Sequence, residues 1–228
     1  MYALVLVAVI LCILFKILNV NNSPEKSIFY CSNQKFLNEF LKRAPELAEP
    51  YIPTRFWGFS GHIQTIVQSV ISRLHCPLVN EQRISMKLTD GATVSYDLYH
   101  PINQLKEVGE GDITLAICPG IGNNSESVYI RRVVYHAQMN GYRVCVLNHI
   151  GTLASVPVTS PRIFMYGNTA DYAAMIKDMV RRFPTTKLVC VGFSMGGNIV
   201  GKYLGEPRVK PENVIAGIAV CAGYDANR

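Results

Sequence analysis

The apolar and polar positions follow three patterns along the chain. Residues 1–20 are almost entirely apolar, and residues 21–50 are mixed and polar. Apolar pairs recur at helical spacing in the second segment, which predicts a short packing helix or linker before Pro45. From Arg83 onward, short apolar runs alternate with amphipathic stretches, as in proteins whose buried strands alternate with helices. We therefore expect an N-terminal apolar segment, a linker, and one folded domain over residues 51–228.

The apolar segment over residues 1–20 predicts a transmembrane anchor. A helix of about 20 residues is about 30 Å long, which matches a hydrocarbon core, and Lys16 near one end can extend to the interface. A cleaved signal peptide is less favoured, because no basic residue precedes the run and residues 19–22 form a poor cleavage site. A buried core helix would be amphipathic. We expect an uncleaved single-pass anchor, and the sequence leaves its orientation open.

The chain after Arg83 predicts a β-hairpin followed by a βαβαβαβ alternation. Two strand-like runs flank an Asp90-Gly91 turn, which is the signal of a hairpin. The expected elements are hairpin strands over 84–88 and 93–99, a strand over 113–118, a helix capped by Asn124 or Ser125 and ending at Asn140, a strand over 144–147, a helix over about 169–183, a strand over 188–191, a helix to 204–205 and a strand over 214–221. This order predicts an α/β fold, a mostly parallel sheet with helices on both faces.

Composition narrows the function classes. With 49% hydrophobic and 17% charged residues, the chain is typical of a globular protein and not of a disordered one. The formal charge of +6 permits an anionic membrane surface as a neighbour. Since no RNP motif, paired-Cys zinc finger or long basic run occurs, nucleic acid is not an expected partner.

Seven widely spaced cysteines without a CxxC favour neither a zinc site nor a disulfide framework. Four of them lie in apolar runs and are expected to be buried: Cys118, Cys145, Cys190 and Cys221.

A G-x-S-x-G motif lies between an expected buried strand and an expected helix. Ser194 would occupy a tight turn, with Gly192 and Gly196 at the positions where side chains would collide. Such a turn raises the serine hydroxyl above the sheet at a helix amino terminus, where the helix dipole favours a developing negative charge. The motif predicts that Ser194 is a catalytic nucleophile. The alternative is a glycine-rich turn that carries a bystander serine.

An oxyanion hole is expected beside this serine. Acyl transfer requires backbone N–H donors aimed at the tetrahedral oxygen. We expect one donor from Met195, directly after the nucleophile, and one from Ile121 in the loop after the strand over 113–118. The alternative is that Pro119-Gly120 forms a simple turn. A nucleotide-binding loop is not favoured, because Ser125 stands at the third glycine position and no Gly-Lys-Ser/Thr follows.

Several segments together resemble a known family. They are residues 57–65, 117–121, 142–149, 159–167 and 191–200. In sequence and order they resemble the membrane-bound alpha/beta-hydrolase-domain lipases and esterases, and most of all the type 2 monoacylglycerol lipase group. The resemblance covers roughly residues 51–224. It implies the alpha/beta-hydrolase fold, hydrolysis of monoacylglycerol and simple esters, a protein anchored in the membrane bilayer, and no metal or organic cofactor.

The chain departs from the order of catalytic residues in that family. Such hydrolases carry an acid and then a histidine after the nucleophile, but no histidine follows Ser194. Asp225 lies where a minority of related lipases place the acid, and His149 is better explained as a structural imidazole. We expect a truncated hydrolase whose acid and base lie beyond Arg228, so that the 228-residue form itself lacks them. The alternatives are a non-catalytic product of the same fold that binds lipid or a partner, and a related acyl transfer such as thioester hydrolysis or transacylation.

Overall fold

The chain forms two compact units. The computed structural model describes residues 2–17, 25–52, 54, 57–58, 60–71, 81–102, 112–207 and 210–223. The first unit is Met1–Arg73 and the second is Leu74–Arg228. The divisions predicted at residues 20 and 50 stay predictions.

The first unit contains three α-helices and one 3-10 helix in its described part. They are α1 (Tyr2–Ile17), α2 (Gln34–Arg43), the 3-10 helix Pro45–Ala48 and α3 (Gly61–Ile71). The side chain of Asn33 caps α2 by accepting the N–H of Phe36, which satisfies one of the unpaired amides of a helix start. Helix α2 confirms the short helix expected before Pro45.

Helix α1 covers residues 2–17 of the predicted anchor. Its 16 residues are about 24 Å long at 1.5 Å per residue, against about 30 Å of hydrocarbon. In the part of the chain that the structure describes, no helix combines the length and the apolar character needed to cross a membrane. The transmembrane anchor predicted for residues 1–20 is therefore not supported, and residues 18–20 of that span lie outside the described residues.

The second unit is built on one sheet of six described strands in the order β1-β2-β4-β3-β5-β6. Its elements are β1 (Glu81–Lys87), β2 (Thr93–Tyr99), β3 (Ile113–Cys118), α4 (Val128–Met139), β4 (Arg143–Asn148), α5 (Ala170–Arg182), β5 (Lys187–Phe193), α6 (Met195–Gly205) and β6 (Val214–Val220). Strands β3 to β6 are parallel, and the β1–β2 hairpin joins antiparallel at β4. The predicted hairpin and the predicted βαβαβαβ order are both confirmed.

Helices cover both faces of this sheet. Helix α4 packs on one face, where Ile130 and Val134 join strand residues such as Ile117. Helices α5 and α6 pack on the other face, where residues such as Met175 and Tyr203 join the neighbouring strand positions. Successive residues of a strand point to opposite faces, so a strand buried on both sides is apolar throughout. This explains the continuous apolar runs and confirms the expected layers.

The predicted cap of α4 is wrong. The helix begins at Val128 with Ser127 as its N-cap residue, not with Asn124 or Ser125. The Ser125 hydroxyl instead donates a hydrogen bond to the buried carboxylate of Asp97. The Ser125 side chain, which the local sequence predicted to cap the helix, therefore bonds to a residue of β2 instead.

The cysteine predictions are confirmed at three positions and wrong at one. Cys118, Cys145 and Cys190 are buried, whereas Cys221 is exposed. Cys221 directly follows β6, which is the outermost described strand on its side of the sheet. An apolar run at the border of a sheet is not covered on both faces, so the burial expected from sequence does not follow there.

Candidate active site

Ser194 lies on a strained turn between β5 and α6. Its backbone has φ 52° and ψ −120°, in the left-handed region that costs an L-residue conformational energy. The turn is held by two hydrogen bonds, from Ser194 N–H to the Val220 carbonyl at 2.8 Å and from Gly197 N–H to the Ser194 carbonyl at 2.8 Å. Ser194 is exposed although the residues around it are buried or half-buried. The geometry thus presents a serine hydroxyl at the amino terminus of a helix.

The two glycines of the motif make this turn sterically feasible. A Cβ on Gly192 would lie 2.2 Å from the Gly196 carbonyl oxygen. A Cβ on Gly196 would lie 2.0 Å from the Cys118 carbonyl oxygen and 2.5 Å from that of Pro119. All three distances are far below van der Waals contact, so only a residue without a side chain fits at either position.

The loop that joins β3 to α4, residues 119–127, lies against the turn. A Cβ built on Gly120 would be 3.4 Å from the Cβ of Ser194. The Gly120 N–H donates to the Tyr129 hydroxyl, with 2.9 Å between nitrogen and oxygen, and Pro119 has no N–H. Among the described residues, Ile121 therefore has the first amide of this β3–α4 loop without an acceptor.

Met195 is the second residue predicted to donate to the oxyanion. It is the first residue of α6, and the first four N–H groups of a helix have no acceptor within that helix. Its side chain is buried, while its amide lies next to the exposed Ser194. The structure thus brings the loops of Ile121 and Met195 to the same edge of the sheet, beyond the carboxyl ends of β3 and β5.

His149 lies at the same edge, but it bonds to the β3–α4 loop. It directly follows β4 and is buried, with its Nε2 3.0 Å from the Pro119 carbonyl oxygen. Burial lowers the pKa of His149, which favours a neutral ring that donates its N–H to this carbonyl. Its ring also contacts that of Phe164, with centroids 5.4 Å apart. These contacts support the interpretation of His149 as a structural imidazole.

The connection from β4 to α5 adds an apolar surface beside α6. The Tyr166 hydroxyl donates to Asn198 Oδ1 on α6 at 2.8 Å, which ties this connection to the helix that Ser194 begins. Ile163, Met165 and Tyr166 expose more than half of their surface. Apolar side chains at the carboxyl edge of a parallel sheet are suited to contact a lipid-like ligand.

Sequence reasoning missed a buried polar cluster that holds the far end of the β3–α4 loop. Asp97 on β2 is fully buried and accepts hydrogen bonds from Nε and Nη2 of Arg83 at 2.8 Å each. It also accepts from the Ser125 hydroxyl and, at 3.3 Å, from Asn148 Nδ2. Burial by itself raises the pKa of Asp97, but the hydrogen bonds from Arg83 and Ser125 outweigh it and lower the pKa below its ordinary value.

The sequence carried only part of the signal for this cluster. Arg83 and Asp97 face each other across the hairpin, and the register of a hairpin follows from its turn. A two-residue Asp90-Gly91 turn would place Arg83 opposite Leu98, one position from its observed partner, so the turn signal indicates the hairpin but not this pair.

The described residues contain no group of three or more His, Cys, Asp and Glu side chains that could hold a metal ion. Asp225, the acid considered from sequence, lies outside the described residues. The groups gathered at the carboxyl edge are therefore a serine hydroxyl, two backbone amides and an apolar surface, which together suit acyl transfer.

Comparison with known proteins identifies the family. The sequence profile of the alpha/beta hydrolase fold family matches residues 113–227, half of the chain and the part that contains Ser194, Ile121 and Met195. The chain belongs to the alpha/beta hydrolase fold family. This alpha/beta hydrolase resembles a solved esterase, Pf2001 of Pyrococcus furiosus, with a TM-score of 0.49 and 17% identity, over 63% of this chain and 49% of that chain.

Curated relatives of this alpha/beta hydrolase match nearly its whole length. It is 54% identical over 224 residues to Abhydrolase domain-containing protein 2 of Drosophila melanogaster, covering 98% of this chain and 55% of that protein. It is 44% identical over 222 residues to monoacylglycerol lipase ABHD2 of Mus musculus, covering 97% of this chain and 52% of that protein. The chain therefore spans about half the length of the curated relatives it matches.

Proposed function

We propose that this chain belongs to a serine-dependent acylglycerol lipase or carboxylesterase in which Ser194 is the nucleophile. The observation that carries the proposal is the backbone of Ser194, with φ 52° and ψ −120° at the start of α6, while Gly120 of the β3–α4 loop lies directly against it. A strained, exposed serine between two obligatory glycines has a structural cost that a simple connection would avoid. That cost is explained if the hydroxyl must face a substrate.

The proposed reaction is acyl transfer to water. The Ser194 Oγ attacks the ester carbonyl carbon while a general base removes its proton, and the N–H groups of Ile121 and Met195 stabilise the oxyanion. The tetrahedral intermediate then expels the alcohol, which takes up the proton and leaves an acyl-enzyme. Water attacks this ester, releases the fatty acid and restores the serine.

The proposed substrate is a lipid ester, with monoacylglycerol as the first candidate. Two relatives support this choice, because each is named a monoacylglycerol lipase. The exposed Ile163, Met165 and Tyr166 beside α6 add apolar surface on which an acyl chain could rest. The proposed chemistry needs no metal or organic cofactor, because the serine and two amides act directly on the carbonyl.

We propose that the general base and the acid come from sequence outside these 228 residues. No histidine follows Ser194, and the Nε2 of His149 is already bonded to the Pro119 carbonyl. The curated relatives, about twice as long as this chain, have room for both groups. Loss of triad members lowers turnover by about 10⁴- to 10⁶-fold, so the 228-residue form alone should be nearly inactive.

Helix α1 is proposed to bring the protein to a lipid surface. Its apolar side chains are exposed, among them Leu4, Leu6, Leu11 and Phe15. Flotation with phosphatidylcholine vesicles tests this proposal, with the chain lacking residues 1–20 as the comparison. Flotation of the full chain and not of the shortened one supports the proposal, whereas equal behaviour of the two contradicts it.

Labelling with a fluorophosphonate, which reacts with activated serines, tests the proposed nucleophile. The 228-residue chain and the longest in-frame product should each be compared with their Ser194→Ala variants. Ser85→Ala, an exposed serine on β1, is the matched control. We expect labelling of the longer product, its loss in Ser194→Ala, and no change in Ser85→Ala.

Two other outcomes would revise the proposal. Labelling of the 228-residue form at Ser194 would show that the base lies within this chain and would contradict our placement of it. If no folded form is labelled, the proposal that this protein is a serine hydrolase is contradicted. In that case the non-catalytic alternative, a domain that binds lipid or a partner, would explain the fold better.

A further inference from the structure

Tyr129 connects the β3–α4 loop to the turn that carries Ser194. Its hydroxyl oxygen accepts the Gly120 N–H at 2.9 Å. Its ring meets the ring of Phe193 edge to face, with centroids 5.5 Å apart and planes at 73°. Phe193 directly precedes Ser194 in the chain. One side chain thus contacts both the loop expected to donate to the oxyanion and the residue next to the expected nucleophile.

Both backbone polar groups of Gly120 are occupied. Its N–H bonds to Tyr129, and its carbonyl accepts the Asn123 N–H at 3.1 Å. The Gly120 carbonyl and the Ile121 N–H belong to the same planar peptide group and point in opposite directions. Fixing the two groups of Gly120 therefore fixes the direction of the Ile121 N–H. Glycine has the widest choice of backbone angles of any residue, so without such restraints this amide would be poorly directed.

The position of Tyr129 is itself restrained. It lies in the first turn of α4, a helix whose Ile130 and Val134 are buried against the sheet. The ring is half-buried. Burial raises the pKa of Tyr129 above its ordinary value, so the hydroxyl stays neutral near neutral pH. A tyrosine on a packed helix is a rigid support, since its hydroxyl has few alternative positions.

We propose that Tyr129 is a positioning residue for acyl transfer, one that aims the Ile121 N–H at the oxyanion by holding Gly120. The inference rests on the proposed function, because it gives the Ile121 amide a reacting oxygen to face. Tyr129 itself need not touch substrate. Its effect is expected in the transition state, where the oxygen becomes negative, more than in the bound ester.

The hydrogen bond from the Gly120 N–H to the Tyr129 hydroxyl can be tested without measuring turnover. In the 228-residue chain, Tyr129→Phe removes the hydroxyl and keeps the ring. We expect the Gly120 amide to exchange its hydrogen about tenfold faster or more than in the wild-type chain, because it loses its acceptor. The control is Tyr135→Phe, a half-buried tyrosine on the same helix with no hydrogen bond shown for its hydroxyl among the described residues. Unchanged exchange at Gly120 in Tyr129→Phe would overturn the proposal.

The functional part is tested in the longest in-frame product with a monoacylglycerol substrate. We expect Tyr129→Phe to lower kcat about tenfold with KM nearly unchanged. The affinity for a trifluoromethyl ketone, which forms a tetrahedral oxyanion on the serine, should fall by the same factor. Tyr135→Phe should match the wild type in both measurements, and the melting temperatures of the two variants should be similar.

The outcomes separate this inference from the proposed function. If the wild-type product turns over through Ser194 and Tyr129→Phe equals it, the positioning role is wrong and the proposed function stands. If kcat falls only together with a large drop in melting temperature, Tyr129 is a structural residue and the proposal is overturned. If the wild-type product neither turns over nor labels, the proposed function fails and this inference fails with it.

Discussion

The carbonyl oxygen of Cys118 lies where a side chain on Gly196 would begin, because a Cβ at Gly196 would be 2.0 Å from that oxygen. The end of β3 is thus packed directly against the first turn of α6. The start of the β3–α4 loop and the turn of Ser194 are therefore in direct van der Waals contact, with no space for a side chain between them. A change in either is therefore expected to disturb both.

Gly196→Ala should destabilise the second unit strongly. The added Cβ would clash with the backbone carbonyl oxygens of Cys118 and Pro119 and not with a flexible side chain. The backbone of β3 or α6 must therefore move, at a cost of about 3 kcal/mol. Gly201→Ala is the matched control on the same helix, since a Cβ there meets nothing within 4 Å and should stabilise the helix by about 0.5–1 kcal/mol. Urea unfolding measures both free energies. Equal stability of the two variants would contradict the close approach of Cys118 and Gly196.

Arg83→Met should also destabilise the fold, because it leaves the Asp97 carboxylate buried without its cation. Asp97 is fully buried and accepts from Nε and Nη2 of Arg83. Breaking a buried ion pair by removing one partner costs about 3 kcal/mol, and urea unfolding again gives the value. The control is Lys87→Met, an exposed cation on the same strand, which should change stability by no more than about 0.5 kcal/mol.

A double variant separates charge from packing at this position. Arg83→Met combined with Asp97→Asn removes both charges and should recover part of the lost stability. If the double variant is as unstable as the sum of the two single ones, the two side chains act independently and the ion pair is not what matters.

Glu81 is expected to make stability depend on pH. Partial loss of water around its carboxylate, which is about a quarter exposed, and, next, the hydrogen bond to Asp97 raise the pKa of Glu81 from 4.5 to about 7 in the folded chain. The folded state then binds this proton more tightly than the unfolded state, so the stabilisation is complete below about pH 4.5 and is lost as the pH rises through about 7. Urea midpoints measured across this window should fall with rising pH.

Glu81→Gln removes the titrating group and should flatten this slope. Glu212→Gln, an exposed carboxylate before β6, is the control and should keep the wild-type slope. A wild-type slope in Glu81→Gln would assign the pH dependence to another group.

Thiol reactivity should follow burial. Cys12 and Cys221 are exposed, whereas Cys118, Cys145 and Cys190 are buried, and burial raises the pKa of each buried thiol. A maleimide should therefore modify the first two in the native protein and the other three only in urea, as peptide mass spectrometry can show. Native modification of Cys190 at the rate of Cys221 would mean that β5 is not a central strand.

Much of the fold was readable from the sequence because its signals are local. The strand predicted over 113–118 has those bounds in the structure, since an uninterrupted apolar run is what a strand buried on both faces requires. The hairpin was readable from its Asp90-Gly91 turn in the same way. In the first unit the apolar run correctly indicated a helix over residues 2–17, whereas the membrane span predicted from the same run is not supported in the described residues.

The sequence by itself determined the elements and the serine turn, because strand periodicity and the spacing of Gly192, Ser194 and Gly196 act between near neighbours. Tertiary structure alone decided which polar groups are occupied. The Gly120 N–H bonds to Tyr129, and the Ser125 hydroxyl bonds to Asp97. These pairings depend on the distance and direction between packed elements, and no local pattern of residues encodes either.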